Sequence, residues 1–297
     1  MSTPDLDLVP VARPLYTLAF EASYCRFELR FNDLPVVSFD ASTSTVDTEI
    51  PINPTLLPGD NLLSIALQAG EREDPARTPV LLTHPATRCV AEVTVRAAGA
   101  PAGERKRLAG LVYEEGQFAT LGAEPGAPTG GLPGPLATLV NTPTAALGRQ
   151  AMALQSPFPV WLWSRAEPLS LDDATTAELV AQYRRFWAAF SQKDGAALRA
   201  MTADNAREVQ VAFGLPSLDD GYAMLSLEDL MRHPAITLQP LPTDGLRMEL
   251  LADGRVARLL ASDGKSAIRL RDSELDAEGA VSVLYCKLPA RGWVQIR

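Results

Sequence analysis

Between Tyr24 and Phe31 the side chains alternate without a slip. Cys25, Phe27, Leu29 and Phe31 fall on one face, and Tyr24, Arg26, Glu28 and Arg30 on the other. A period of two with one apolar face requires an antiparallel strand that buries a single side. The pattern repeats at Cys89, Ala91, Val93 and Val95, set against Val90, Glu92, Thr94 and Arg96. Asn32-Asp33 supplies turn chemistry after the first run, and Val36, Val37 and Phe39 resume the apolar pattern. Residues 14–97 are therefore expected as successive strands, and a chain that starts in this way must bury one sheet face against another.

At Ser170 the period changes. Ser170 followed by Asp173 suits a helix start. Leu179, Tyr183, Phe186, Trp187 and Phe190 then recur at helical spacing. Asp194-Gly195 closes this helix and opens a second around Ala196–Met201, and a third is expected near Ser226–Met231, ended by His233-Pro234. After it come alternating segments joined by Asp253-Gly254 and Asp263-Gly264, both strong hairpin signals. Val281–Leu288 and Trp293–Ile296 supply the last strand pair.

The expected organisation is an α+β chain: an antiparallel β-sandwich over residues 1–120, a Gly/Pro-rich linker and inter-domain segment over 121–169, and a C-terminal domain over 170–297. The stretch from Gly122 to Gly134 carries the linker expectation, because its Gly and Pro content disfavours regular structure. Pro159–Trp163 is expected as a short buried strand.

Two resemblances follow from these residues. Leu56, Leu57, Gly59 and Asn61, a turn of the form L-x-x-G-x-N before a strand, resemble the edge of jelly-roll and galactose-binding-like sandwiches; the likeness implies a sandwich and no sugar site. Tyr183–Phe190, then Lys193-Asp194-Gly195-Ala196-Ala197-Leu198 and the Asp-Gly hairpins, resemble the nuclear-transport-factor-2-like (NTF2-like) family. That resemblance covers about residues 170–297. It implies a curved antiparallel sheet wrapped round a helix to form a cone, which in that family is an active site, a ligand pocket or simply filled. The residues that would line the cone are Tyr183, Trp187, Arg258, Arg271 and Tyr285, with Arg269 and Lys287 beside them.

Composition removes several function classes. The formal net charge of −9 repels phosphate backbones, and Arg105-Lys106-Arg107, the one dense basic cluster, follows Glu104, so nucleic acid is not expected as a partner. No run approaches the roughly 18 apolar residues of a membrane span, and the acidic start is not a secretory signal, so the chain is expected in the cytoplasm. The three cysteines, at 25, 89 and 286, sit in strand-like patterns and are expected as core residues. His84 and His233 each precede a proline without other metal-ligating residues near them, so no metal site is expected, and both are expected as incidental surface residues. No nucleophile elbow or phosphate loop is present. The acid pairs Asp172-Asp173 and Glu228-Asp229 belong at helix N-termini and Asp219-Asp220 in a turn.

With no catalytic residues and no cofactor expected, the leading expectation is a non-catalytic protein-binding protein with a basic partner, such as a bacterial immunity or chaperone-like protein that binds a toxin or effector. A small-molecule-binding or weakly enzymatic cone with an accessory sandwich is the alternative, and a self-associating structural subunit is the second.

Overall fold

The computed structural model describes residues 13–42, 44–70, 81–127, 132–154 and 156–297. The chain divides into two compact units, with residues 12–159 in one and 160–297 in the other. It is an α+β protein whose described residues form four α-helices and four antiparallel sheets.

The first unit is a sandwich of two five-stranded sheets. One sheet is built from β1 (Leu15–Ser23), β4 (Thr45–Pro51), β6 (Arg88–Arg96), β7 (Lys106–Glu114) and β8 (Gln117–Leu121), in the order β4-β1-β6-β7-β8. The other uses β2 (Arg26–Phe31), β3 (Leu34–Asp40), β5 (Gly59–Gln68), β9 (Leu132–Asn141) and β10 (Ala145–Leu154), in the order β3-β2-β5-β10-β9. Their inner faces share one core, in which Phe20 of β1 meets Phe27 of β2 with ring centroids 5.5 Å apart. Phe118 of β8 lies over Gly148 of β10, where a Cβ would stand 2.6 Å from the ring. The alternation seen in β2 is the observed burial, with Phe27, Leu29 and Phe31 inward. Asn32 and Asp33 turn the chain with φ of 52° and 61°, the paired left-handed values of a tight hairpin turn. Asn61 holds the turn before β5 shut. Its Oδ1 accepts from Leu57 N–H at 2.9 Å and from Asn32 Nδ2 at 2.8 Å, and its Nδ2 donates to the Leu57 and Gly59 carbonyls.

The linker expected over 121–169 is corrected from residue 132 on by β9 and β10; residues 122–127 are irregular as expected, and 128–131 lie outside the described residues. Gly and Pro in this stretch do not exclude strand structure, because β9 is an edge strand. Pro133 and Pro135 lack only a backbone N–H there, where one side of the strand needs no partner. Both strands belong to the second sheet, and the boundary between the units falls at residues 159/160.

The second unit opens on a 3-10 turn, Leu162–Arg165, rather than the expected strand, with Trp161 and Trp163 buried. Four helices follow: α1 (Asp173–Ser191), α2 (Gly195–Phe213), α3 (Leu218–Leu225) and α4 (Leu227–Arg232). Asp172, not Ser170, caps α1, accepting from Thr175 N–H at 2.7 Å. Asp194 caps α2, which runs far beyond the expected Met201. The turn expected at Asp219-Asp220 is the first turn of α3, where Ser217 and Asp220 form a capping box. The acids there serve the helix end, and Gly221 lies so close to the Ala206 carbonyl that a Cβ would stand 2.3 Å from its oxygen.

The strands expected after the helices fall into two sheets rather than one curved sheet. β12 (Arg247–Leu251), β13 (Val256–Leu260), β16 (Tyr285–Leu288) and β17 (Gly292–Gln295) form one, and β11 (Ile236–Leu238), β14 (Arg269–Asp272) and β15 (Ala277–Ala280) the other. The Asp253-Gly254 hairpin forms in full. The Asp263-Gly264 turn also forms, but its hairpin is short, held by Ala261 N–H to the Lys265 carbonyl and Ala267 N–H to the Leu259 carbonyl before β14 departs.

Candidate functional site

Tyr183, expected to line an open cone, is fully buried on α1 and its hydroxyl is used twice. It accepts from Leu259 N–H at 2.9 Å and donates to the Val283 carbonyl. It thus joins β13 to the chain before β16, where no ladder connects them. Burial raises its pKa, and the same cause raises that of Tyr285. The two rings lie 5.6 Å apart, and the Tyr285 hydroxyl reaches the Gln182 carbonyl at 3.5 Å. Trp187 donates its indole N–H to the Gln239 carbonyl at 2.8 Å.

Around these residues Leu179, Phe186, Phe190, Leu198, Met231, Met248, Leu259, Ile268 and Val283 complete a continuous apolar cluster. The two arginines stand elsewhere. Alternation along β13 places Arg258 opposite to Ala257 and Leu259, which enter the cluster; it pairs with Glu249 across the hairpin at 2.6 Å. Arg271 is exposed and pairs with Asp276 at 2.9 Å. Of the five expected residues the structure therefore brings three together, as packing and backbone-bonding groups, and separates two.

A second group, half-buried on α2, was not singled out by sequence. Glu208 of α2 accepts the Leu162 N–H at 2.6 Å and so caps the 3-10 turn. Burial pushes its carboxyl up to about 7, with the Asp204 charge adding to the rise and the Leu162 hydrogen bond and Arg165 opposing it. Asp204 itself pairs with Arg291 at 2.5 Å. Cys286 nearby is buried, and desolvation lifts its thiol to about 12, which disfavours the thiolate at neutral pH. Cys25 and Cys89 are likewise buried and free, with their thiols raised by burial. No group of three or more His, Cys, Asp or Glu side chains among the described residues is arranged to hold a metal. A shallow depression beside Arg199, Tyr222 and Glu228 has a volume of about 10 Å³, room for about one water.

The sandwich unit presents the contrasting surface. Leu15 starts β1 and Leu154 ends β10 at the same end of the sandwich, and the opposite end is termed distal here. Its large exposed apolar side chains, among the described residues, are Tyr24, Phe39, Leu81, Leu139 and Val140, and all five lie in distal loops or in the distal parts of strands. Hydrogen bonds sew these loops together. Tyr24 N–H donates to the Ala41 carbonyl at 2.8 Å, Leu82 N–H to the Pro143 carbonyl at 2.8 Å, and Asn141 Nδ2 to the Gly116 carbonyl at 2.9 Å. The Thr87 hydroxyl lies within 3.4 Å of the carbonyls of both Tyr24 and Leu81.

His84, expected as incidental, stacks on Tyr24 with ring centroids 5.1 Å apart and planes 17° from parallel. Leu139 is the extra residue of a β-bulge, between the register pairs Thr138–Gly148 and Val140–Leu147, and is 53% exposed. A sequence signal for this end existed in Tyr24, an aromatic residue on the charged face of its strand pattern. The assembly of five separate segments had none.

The chain is an α+β protein with a β-sandwich whose large exposed apolar side chains, among the described residues, lie at its distal end, and a C-terminal unit whose interior is packed. No family model matches the chain, and it has no match among curated proteins or solved structures.

Proposed function

We propose that this chain is a non-catalytic protein-binding protein whose sandwich meets its partner at the distal end. The observation that carries the reading is that Tyr24, Phe39, Leu81, Leu139 and Val140, spread across the end from edge strand β3 to edge strand β9, are the large exposed apolar side chains of the sandwich among the described residues, since apolar surface left open on one face of a molecule marks interaction sites. The stacked Tyr24–His84 pair offers a stiff aromatic anchor of the kind that dominates binding energy.

Contact through the ends fits better than contact through the sheet edges, because each edge strand carries a feature that resists pairing. β3 has Pro35 and a register shift beside it, and β9 has Pro133, Pro135 and its bulge. β4 carries Asp47 and Glu49, and β8 is only five residues long. In the same proposal the C-terminal unit is an NTF2-like body that serves as scaffold, a reading supported by its long first helix, its further helices and its antiparallel strand pairs.

The test is native mass spectrometry of the full chain purified gently from its own source, beside the Tyr24→Ser/Leu81→Ser variant purified in the same way. A stoichiometric protein partner held by the unaltered chain and lost from the variant is the expected result. Equal retention by both, or a chain without a protein partner, overturns the reading.

A further inference from the structure

The charges at the distal end of the sandwich are unequal. Among the described residues Glu21, Asp40, Asp47, Glu114 and Glu115 stand there against Arg26 and Arg88. Glu21 and Asp47 lie directly opposite each other on β1 and β4, an arrangement that is unfavourable without a cation. Arg88 provides one for Glu21 and not for Asp47. Its guanidinium lies 2.8 Å from Glu21 and 3.4 Å from Glu114. Arg26 lies 4.0 Å from Asp40. Both arginines of this end are therefore engaged, and Asp47 and Glu115 are exposed carboxylates without a partner among the described residues. At the opposite end, among the described residues, Arg13, Arg30, Arg96, Arg105, Lys106 and Arg107 stand against Asp33, Asp60, Glu104 and Glu124. The excess of negative charge is thus local to the end that carries the apolar side chains. The Asn141 to Gly116 hydrogen bond ties the Glu115 turn to the end of β9, next to Val140.

We infer that the distal end takes a basic segment of its partner, with Lys or Arg side chains set among apolar ones. The inference rests on the binding reading above and names the partner's chemistry. Apolar side chains of that segment cover Tyr24 and Leu81, while its cations reach Asp47 and Glu115 at the rim. Rim charges of this kind steer encounter and choose between partners more than they add affinity, and their effect is screened by salt.

The test pans the full chain against a phage-displayed random-peptide library at low salt, and measures the enriched peptides as labelled synthetic probes by fluorescence polarisation. Two variants are compared, Tyr24→Ser/Leu81→Ser and Asp47→Asn/Glu115→Gln, each checked for an unchanged circular dichroism spectrum. All four side chains are exposed, so folding is expected to survive both pairs of changes. The expected result is peptides rich in Lys or Arg beside apolar residues. The first variant abolishes their binding. The second weakens it about tenfold at low salt, an effect that disappears at high salt. Peptides that need Tyr24 and Leu81 but show no basic bias and ignore Asp47→Asn/Glu115→Gln would overturn the inference and leave the binding reading standing. Peptides indifferent to Tyr24→Ser/Leu81→Ser, or no enriched peptides at all, would overturn both.

Discussion

Tyr183 and Tyr24 show how differently the two units use the same side chain. In the C-terminal unit Tyr183 is enclosed, and its hydroxyl serves two backbone groups that no strand partner reaches. In the sandwich Tyr24 sits 40% exposed at a loop with φ of 55°, its ring stacked on a histidine and its hydroxyl without a protein partner among the described residues. An aromatic residue that ties a strand to a neighbouring segment is part of the core's bonding. One that is held in place by its own loop, with its surface left open, is available to something else. The difference teaches where to look for function: a cluster of aromatic residues is informative only once its polar atoms have been followed to their partners.

The comparison breaks most readily at Tyr183. Tyr183→Phe keeps the ring and removes the hydroxyl, leaving the Leu259 N–H and the Val283 carbonyl buried without that partner. A loss of about 2–4 kcal/mol is expected, since a stranded buried group costs more than a made bond contributes. Chemical denaturation gives the magnitude, and hydrogen exchange is expected to place the loss in residues 160–297 and spare the sandwich. A loss below about 0.5 kcal/mol would mean that the hydroxyl is a passenger and the interior more open to function than its packing suggests.

Glu208 sharpens the contrast through pH. Its folded pKa of about 7 lies above the ordinary carboxyl value of 4.5, so the folded state binds its proton more tightly than the unfolded state does. The sign follows: this group's contribution is fully present below about 4.5 and is lost as pH rises towards 7 and beyond. Glu208→Gln keeps an acceptor for Leu162 N–H and removes the titration. At pH near 8 the variant is expected to be more stable by about 1–3 kcal/mol, and at pH near 5 to match the unaltered chain. Denaturant midpoints measured across that range check it, and a variant less stable at both ends would show that the carboxylate is needed charged.

Much of this architecture is legible in the sequence because it rests on local rules. The β2 alternation, the Asn32-Asp33 turn and the Asp253-Gly254 hairpin require no knowledge of distant residues. β9 and β10 were obscured because proline and glycine carry opposite meanings in a loop and on a sheet edge, and only the pairing of β10 with β5 decides between them. The candidate sites were less legible still. The helix period puts Tyr183 and Trp187 on one face and the NTF2-like resemblance implies that Tyr285 lies near them, but their hydrogen-bond partners, at Val283, Gln239 and Gln182, could not be read from either. The distal end draws on segments from residue 24 to residue 143, and no period or spacing connects them.

Gln150 tests whether the sandwich core is as complete as the C-terminal one. It is fully buried on β10, and neither its amide nitrogen nor its oxygen has a hydrogen-bond partner among the described residues. Gln150→Leu, close in size, is expected to stabilise the sandwich by about 1 kcal/mol, because the desolvation cost of two unsatisfied groups is removed. Thermal unfolding checks the direction. A destabilised variant would mean that the amide is satisfied in solution, by a bound water or a shift of neighbouring groups, and would count the sandwich interior among its polar sites.

The smallest expected effect bears most directly on the contrast between the two tyrosines. Replacing Leu139 with Ser and Val140 with Thr removes apolar surface that is already half in water, 53% and 40% exposed, and keeps a β-branched residue in the strand. Stability is expected to stay within about 0.5 kcal/mol of the unaltered chain, as for surface changes that touch no core or cap. The same truncations inside a core would cost several times as much, on the order of 2–5 kcal/mol for a leucine. A denaturation curve that coincides with the unaltered one shows that folding does not need these side chains, so that their exposure at one end calls for another explanation. A large loss would make Leu139 and Val140 packing residues and leave Tyr24, Phe39 and Leu81 as the whole of the apolar surface.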